Sequence, residues 1–197
     1  MRLFIALDLG DDARAAIAAE QTHVIGAIVA KGGSSPKAVP PERLHLTLVF
    51  LGEIDASLQP MVVAALEPPV AREPFTLTFG GIGVFPPRGK PSVLWLGVTG
   101  GAGEALAVQD DLANRMRRLG IALERRPFHP HLTLARWRDS RTADRPRALA
   151  AATAGAVARV HVDHATLYHS RLSSAGPAYS PVARATLSLS SSASEKT

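Results

Sequence analysis

Hydrophobic and polar residues follow two periods along this chain, one typical of strands and one typical of helices. Asp11 and Asp12 precede an alanine-rich helical pattern and can cap it, because a short acidic side chain accepts hydrogen bonds from the first free amides of a helix. The periods predict helices over residues 11–30, 57–66 and 104–119, and a loop or short helix over 143–154. They predict strands over residues 2–9, 43–52, 75–84, 93–98, 132–137, 156–168 and 179–189.

The predicted elements form two successive sets, separated by the glycine-rich residues 100–103. Each set contains a helix, a strand that bears histidine and threonine, and further strands. We therefore predict an α+β fold of two lobes related by a pseudo-two-fold axis, each an antiparallel sheet with helices on its outer face, around a central cleft. Residues 1–189 would form this single domain, with the lobe boundary near residues 100–103. The serine-rich residues 190–197 are expected to be a disordered tail.

The tetrapeptide His-Leu-Thr-Leu occurs twice, at residues 45–48 and at residues 131–134. Prolines precede both copies, and because proline disfavours helix and is tolerated where a strand begins, each copy is predicted to enter a strand from a loop. Side chains alternate faces in a strand, so His45 and Thr47 share one face while the leucines occupy the other. The same holds for His131 and Thr133. If the two copies face each other, the cleft between them holds two imidazoles and two hydroxyls.

Two histidines that face one cleft can act as an acid–base pair, because histidine has an unperturbed pKa close to neutral pH. Displacement at phosphorus needs such a pair, since one group activates the attacking oxygen while another protonates the leaving oxygen on the opposite side. Threonine hydroxyls beside the histidines can donate hydrogen bonds to the phosphoryl oxygens, where negative charge builds up. This scheme requires no metal ion, and we expect no cofactor.

Composition narrows the classes of protein to which the chain can belong. Its 197 residues are 46% hydrophobic, enough for a folded domain, and they include no cysteine, which excludes disulfides, thiolate metal sites and a cysteine nucleophile. No apolar run reaches the length of about eighteen residues that suggests a membrane helix, and Asp8 interrupts the first apolar stretch, so we expect a cytoplasmic protein without a membrane segment. The net charge of +5 favours a polyanionic partner such as a nucleic acid, although it also fits a general preference for arginine.

The paired motifs and their flanks resemble the 2H phosphoesterase family, and within it the branch of RNA 2′,3′-cyclic phosphodiesterases, historically called 2′-5′ RNA ligases. The resemblance is carried by residues 2–7 (RLFIAL), 44–53 (LHLTLVFLGE), 93–98 (VLWLGV) and 127–136 (PFHPHLTLAR). It implies hydrolysis of ribose 2′,3′-cyclic phosphates to 2′-phosphates without a metal, on RNA ends or small cyclic nucleotides. It also implies a weak reverse reaction that joins RNA ends through a 2′-5′ linkage.

The resemblance also implies roles for individual residues. His45 would protonate the departing O3′ and His131 would activate water, although the near symmetry of the site leaves the reverse assignment open. Thr47 and Thr133 would hold the phosphate oxygens. Arg136 matches an arginine that often follows the second motif of the family, yet strand parity places it on the face opposite His131. It would reach the substrate only if a bulge or the strand end redirected it.

Several alternatives stay open at this point. A protein of the same fold could bind a nucleotide or RNA without turning it over, because a fold does not guarantee activity. His129 and His131 share a face and could contribute to a metal site together with a third histidine.

Three aromatic side chains, Phe50, Phe85 and Tyr168, could stack on bases or could belong to the core. Residues 115–118, with three arginines, are expected to form a solvated helix face, and a contact with RNA is the alternative. Nothing in the sequence indicates an obligate oligomer, so we expect a monomer.

Overall fold

The computed structural model describes residues 1–173 and 176–189, which contain nine strands and four α-helices. The strands are β1 (Arg2–Leu7), β2 (Lys37–Ala38), β3 (Leu46–Glu53), β4 (Phe75–Phe85), β5 (Val93–Gly100), β6 (His131–Arg136), β7 (Ala156–Val162), β8 (His164–Ser173) and β9 (Gly176–Thr186). The helices are α1 (Asp11–Ala30), α2 (Gln59–Ala64), α3 (Ala102–Arg118) and α4 (Asp144–Leu149), and short 3-10 helices cover Pro41–Arg43 and Ala56–Leu58. The predicted tail, residues 190–197, lies outside the described residues.

The strands form two antiparallel sheets, which confirms the predicted α+β class. Sheet A has the strand order β3-β1-β8-β9, and sheet B has the order β2-β6-β5-β4-β7. The first motif strand, β3, is an edge strand of sheet A, and the second, β6, lies next to the edge of sheet B. Because β3 and β6 also contact each other, the two motifs approach where the sheets meet.

The two long helices, α1 and α3, each follow a strand of one sheet and pack against a strand of the other. Helix α1 follows a strand of sheet A but packs against β7 of sheet B and against α4, whereas α3 follows a strand of sheet B but packs against β3 of sheet A. Strands on both sides of residues 100–103 belong to sheet B, and sheet A is built from both ends of the chain. The two sheets therefore do not correspond to the two chain halves on either side of the predicted boundary. Gly101 alone connects β5 to α3, and its φ of 78° is a conformation that glycine adopts without strain.

The leucines of both motifs are buried, as strand parity predicts. Leu46 and Leu48 of β3 and Leu132 and Leu134 of β6 belong to one hydrophobic core that continues under both sheets. Burying each such side chain contributes about 1.5–3 kcal/mol, and this holds the opposite strand face toward the cleft. None of the helices in the described part of the chain is long and apolar enough to cross a membrane.

One predicted strand is two strands in the structure. The alternating pattern over residues 156–168 predicts a single strand, but the chain leaves sheet B after Val162 and enters sheet A at His164. The buried apolar residues lie on even positions up to Val162 and on odd positions from Ala165, so the period of two is broken at Asp163 and His164, where the chain changes sheet. The last strand begins at Gly176, three residues earlier than predicted.

Candidate active site

A cavity of about 490 Å³ is lined by strands of both sheets. Its lining includes His45 and Thr47 from the first motif and His131 and Thr133 from the second, together with Arg136. The structure thus brings all five sequence-predicted site residues to one cavity. The volume lies within the range of about 300–1,000 Å³ that is typical of small-molecule sites.

The ring of His45 has a polar contact at each nitrogen and packs against two aromatic rings. Its Nδ1 atom lies 2.7 Å from the backbone carbonyl of Arg43, and its Nε2 atom lies 3.0 Å from the hydroxyl of Thr47. A carbonyl only accepts, so Nδ1 carries the hydrogen and Nε2 of the neutral ring is the acceptor. Phe4 stacks on the ring at a centroid distance of 4.9 Å, and Tyr179 contacts it edge-on at 5.4 Å.

His131 has the same tautomer for the same reason. Its Nδ1 atom lies 2.7 Å from the backbone carbonyl of His129, which leaves Nε2 as the acceptor of the neutral ring. Phe85 meets the ring edge-on at a centroid distance of 5.0 Å, and Trp95 lies at 6.1 Å. Of the aromatic residues left open by the sequence, Phe85 therefore supports a candidate catalytic ring.

Burial is the main cause that lowers the pKa of His45 below its usual value, because it disfavours the charged ring. The hydrogen bond to the Arg43 carbonyl and the charge of Asp8 act in the opposite direction, while the charge of Arg14 adds to the lowering.

Burial also lowers the pKa of His131. The hydrogen bond to the His129 carbonyl opposes this effect, but the positive charges of His129 and Arg136 reinforce it. Both rings are therefore neutral more often than a solvent-exposed histidine would be at the same pH.

A β-bulge turns Arg136 toward the cavity. Consecutive residues of β5 pair with Thr133 and Ala135, so Leu134 is an extra residue on β6. Leu134 and Ala135 are both buried, and the next side chain, Arg136, returns to the face that bears His131. This is the redirection that strand parity alone would require before Arg136 could face the cleft.

The first motif strand has a bulge at the same place in its sequence. Consecutive residues of β1 pair with Thr47 and Val49, which makes Leu48 the extra residue, and Leu48 and Val49 are both buried. Phe50 then lines the cavity with 45% of its surface exposed. Phe50 thus occupies in the first motif the position that Arg136 occupies in the second.

Several residues on the sheet A side of the cavity were not predicted from the sequence, among them two arginines and two aromatic residues. Arg2 and Phe4 lie on β1, and the guanidinium carbon of Arg2 is 4.9 Å from the centre of the Phe50 ring. Arg43 and Tyr179 line the same side. Strand parity does place Arg2 and Phe4 on one face, but only the pairing of β1 with β3 brings that face next to the motif.

Tyr168 supports the site from behind. Its ring stacks on Phe4 at 5.3 Å, and its hydroxyl donates a hydrogen bond of 2.6 Å to Asp8, which also accepts one from Thr166. Burial raises the pKa of Tyr168, so the phenol remains protonated and continues to donate. Tyr168 therefore holds in place the ring on which His45 stacks.

The metal alternative at His129 and His131 would need a third ligand. In residues 1–173 and 176–189 there is no group of three or more histidine, aspartate or glutamate side chains that could hold a metal ion. His129 is exposed, and its ring stacks on that of His131 at a centroid distance of 6.2 Å.

Known proteins are similar to this chain in both sequence and fold. A family model described as the 2′-5′ RNA ligase superfamily matches residues 15–173. A relative from Methanothermobacter thermautotrophicus, named RNA 2′,3′-cyclic phosphodiesterase, is 30% identical over 182 residues, which are 91% of this chain and 95% of the relative. A relative of the same name from Aeropyrum pernix is 35% identical over 113 residues, which are 57% of this chain and 64% of the relative, less than two thirds of its length.

Solved structures are similar over nearly the whole chain. The protein TT0787 of Thermus thermophilus has a TM-score of 0.71 and 32% identity, and the match covers 95% of this chain and 98% of that one. LigT of E. coli, solved as a complex with NADP+, has a TM-score of 0.70 and 29% identity, with 94% and 96% covered.

Proposed function

Because the chain belongs to the 2′-5′ RNA ligase superfamily, we propose that it is an RNA 2′,3′-cyclic phosphodiesterase that hydrolyses cyclic phosphate ends to 2′-phosphates without a metal ion. Curated relatives from several organisms carry that enzyme name. The observation that supports the proposal most is the pair of matched histidines, His45 and His131. Both line one cavity, and each uses Nδ1 to bind a backbone carbonyl and so keeps Nε2 for chemistry.

In the proposed reaction, Nε2 of His131 accepts a proton from water while the water oxygen forms a bond to phosphorus. The bond between phosphorus and O3′ breaks, and the protonated Nε2 of His45 gives its proton to O3′, which leaves the phosphate on O2′. His131 is then protonated and His45 is neutral, so proton exchange with solvent restores the starting pair. Acid–base catalysis of this kind contributes about 10²–10⁴-fold to the rate.

The charges around the two rings favour His131 as the base. Positive charge at Arg136 and His129 lowers the pKa of His131 and so favours its neutral form. At His45 the charge of Asp8, which favours the protonated ring, outweighs the opposite charge of Arg14. The nearby carboxylate therefore supports the protonated form of His45 as the starting donor, against the effect of burial, which lowers the pKa of both rings.

The remaining cavity residues suit the phosphate and the RNA chain. The hydroxyls of Thr47 and Thr133 would donate hydrogen bonds to the non-bridging oxygens, where charge builds up in the transition state. Arg136 would add a charge-assisted hydrogen bond to the same group. Arg2 and Arg43, on the sheet A side, would contact the backbone phosphate of the preceding nucleotide.

Turnover of a nucleoside 2′,3′-cyclic phosphate in the presence of a chelator tests this proposal. We expect the wild-type protein to release the 2′-phosphate, and the His45→Ala and His131→Ala variants each to lose about 10²–10⁴-fold in kcat. His23→Ala is the matched control, because His23 is exposed on α1 and lies outside the cavity. Tight binding by the wild-type protein without product would support the non-catalytic module of the same fold instead.

Three finer points belong to the same proposal. Small cyclic nucleotides would be substrates as well as RNA ends, and a weak reverse reaction would join RNA ends through 2′-5′ linkages. The active form would be a monomer, because nothing in the sequence indicates an obligate oligomer. The enzyme would work in the cytoplasm, as expected from its sequence.

A further inference from the structure

Helix α1 donates hydrogen bonds to the backbone just before the first motif strand and to the backbone of the second motif strand. From its first turn, Arg14 Nη1 donates to the carbonyl oxygens of Leu44 at 3.3 Å and Pro41 at 3.0 Å, and Leu44 immediately precedes His45. Two turns further on, Gln21 Nε2 donates to the carbonyl oxygen of Leu134 at 2.6 Å. The same side-chain amide also donates to the carbonyl oxygen of Val39 at 2.8 Å.

The two contacts lie on one face of a single rigid element. Arg14 and Gln21 are seven residues apart, which is close to two full turns and corresponds to a rise of about 10 Å along the helix. Gln21 is only 4% exposed, so its amide has no water to replace a lost partner. The backbone of one motif is therefore tied to the backbone of the other through a fixed length of helix.

The Gln21 contact falls on the bulge that directs Arg136. Leu134 is the extra residue of β6, and its carbonyl accepts from Gln21 and from the backbone amide of Val39 at 2.8 Å. The amide of Val39 already pairs this carbonyl on the β2 side of the strand, and Gln21 adds a second donor from the helix. The helix thus contacts the backbone of the residue at which β6 departs from its regular pairing with β5.

The sheet topology shows why a fixed distance between the two motifs matters. The first motif belongs to sheet A and the second to sheet B, and a phosphate held by both needs the two sheets at one fixed separation. A misplacement of about 1 Å costs on the order of 10²-fold in rate, because catalysis depends on near-attack geometry.

We propose that residues 14–21 of α1 are the spacer that sets the distance between the two halves of the site, with Arg14 and Gln21 as positioning residues at the two ends of this segment. This inference rests on the proposed function, since it assumes that one phosphate contacts both motifs. Neither residue touches the substrate. Gln21 acts through the backbone next to the residues that do, and Arg14 acts both in this way and through its charge on His45, so kcat of the Arg14 variant is compared at the maximum of its own pH profile.

A double-mutant cycle tests the spacer. If one helix segment sets the distance between the motifs, removing either the Arg14 or the Gln21 contact already changes that distance. Arg14→Met and Gln21→Met should therefore each lower kcat by about tenfold or more. The double variant should lose no more than about threefold beyond the worse single variant. Two independent local effects would instead multiply. Multiplied losses, or singles that retain wild-type kcat, would overturn the proposal.

Matched controls separate positioning from stability. Arg115 of α3 also donates to several backbone carbonyls, those of Ala65, Pro68 and Pro69, but these lie away from the motifs, so Arg115→Met removes a comparable clamp. Val24 is fully buried one turn after Gln21, and Val24→Ala weakens the packing of α1 alone. We expect both controls to lower the melting temperature and to keep kcat within about threefold of wild type.

A crystal structure of the Arg14→Met, Gln21→Met double variant makes the test independent of turnover. The proposal expects the separation of the His45 and His131 rings to change relative to the wild-type crystal structure. An unchanged separation of the two rings would refute the proposal, whatever the kcat of the double variant. A wild-type protein that lacked turnover would count against the proposed function and not against this structural link.

Discussion

Replacing either motif threonine with valine removes a hydroxyl and keeps the shape of the side chain. Thr47 and Thr133 are half-buried on the cleft faces of β3 and β6, where β-branched residues suit the extended backbone. Valine therefore fits both strands, and we expect the fold of each variant to be retained. Any loss of activity then measures the hydroxyl and not the strand.

The expected loss follows from the role of the hydroxyl as a donor to a charged oxygen. A hydrogen bond to a charged group contributes about 1.5–3 kcal/mol. Since about 1.36 kcal/mol corresponds to a tenfold change in rate, Thr47→Val and Thr133→Val should each lower kcat/KM by about 10- to 160-fold. Serine keeps the donor, so Thr47→Ser and Thr133→Ser should retain most of the activity.

The two valine variants should differ in their pH profiles. In the free protein the Thr47 hydroxyl lies 3.0 Å from Nε2 of His45, and it donates to the neutral ring because Nδ1 already carries the hydrogen. The hydroxyl can also turn and accept from the protonated ring, and this charge-assisted bond is the stronger of the two, so Thr47→Val should lower the pKa of His45. If His45 is the acid, activity falls as pH rises through that pKa, and the basic limb should move to lower pH in Thr47→Val but not in Thr133→Val.

The assay is steady-state hydrolysis of adenosine 2′,3′-cyclic phosphate between about pH 5 and pH 9, the range in which histidine titrates. Circular dichroism and melting temperature serve as controls for the fold. The reasoning fails if Thr47→Val and Thr133→Val lose less than about threefold in kcat/KM, or if the serine variants are as impaired as the valine variants. A basic limb that moves equally in both valine variants would contradict the assignment of His45 as the acid.

Two further predictions concern stability. Burial lowers the pKa of His131, so the unfolded chain binds the proton more tightly than the folded chain does. The neutral ring of His131 therefore contributes its full stability above about pH 6.5, and this stability is lost as pH falls through the folded-state pKa. Urea titrations at several pH values should show a smaller acid loss in His131→Gln, and an equal loss would contradict this. In Gly83→Ala the new Cβ would overlap the ring of Trp95, so the ring must shift, and we expect the melting temperature to fall by at least about 3 °C with altered tryptophan fluorescence. An unchanged melting temperature would show that the ring moves freely.

Local periodicity was sufficient for the parts of the site that depend on a single strand. Alternation alone predicted that Leu46 and Leu132 face the core while His45 and His131 face the other way, because side-chain direction in a strand is a local property. The direction of Arg136 depends on a bulge, and parity gave the wrong face without it. A signal was present in the sequence, since two successive apolar residues follow each threonine and break the period of two.

Contacts between distant segments account for what the sequence did not reveal. Arg115 was expected on a solvated helix face, but its side chain is only 10% exposed and holds the carbonyl oxygens that follow α2. The role of Arg2 depends on the pairing of β1 with β3, and the change of sheet at Asp163 depends on which partners β7 and β8 find. The broken period at Asp163 marks the end of one strand, but no period within one segment reveals which strands pair.

The duplicated motif does not make the two halves of the chain separable. A fragment that ended near residue 100 would hold β1 and β3 without the other strands of sheet A, and β4 and β5 without β6 and β7 of sheet B. Both sheets would then have unpaired edges, and the core shared by the two motifs would be exposed to solvent. Because the cavity takes one histidine from each sheet, neither half contains a site of its own. The chemistry therefore requires the complete interleaved fold, and a substitution that disturbs the packing of either sheet should affect both histidines together.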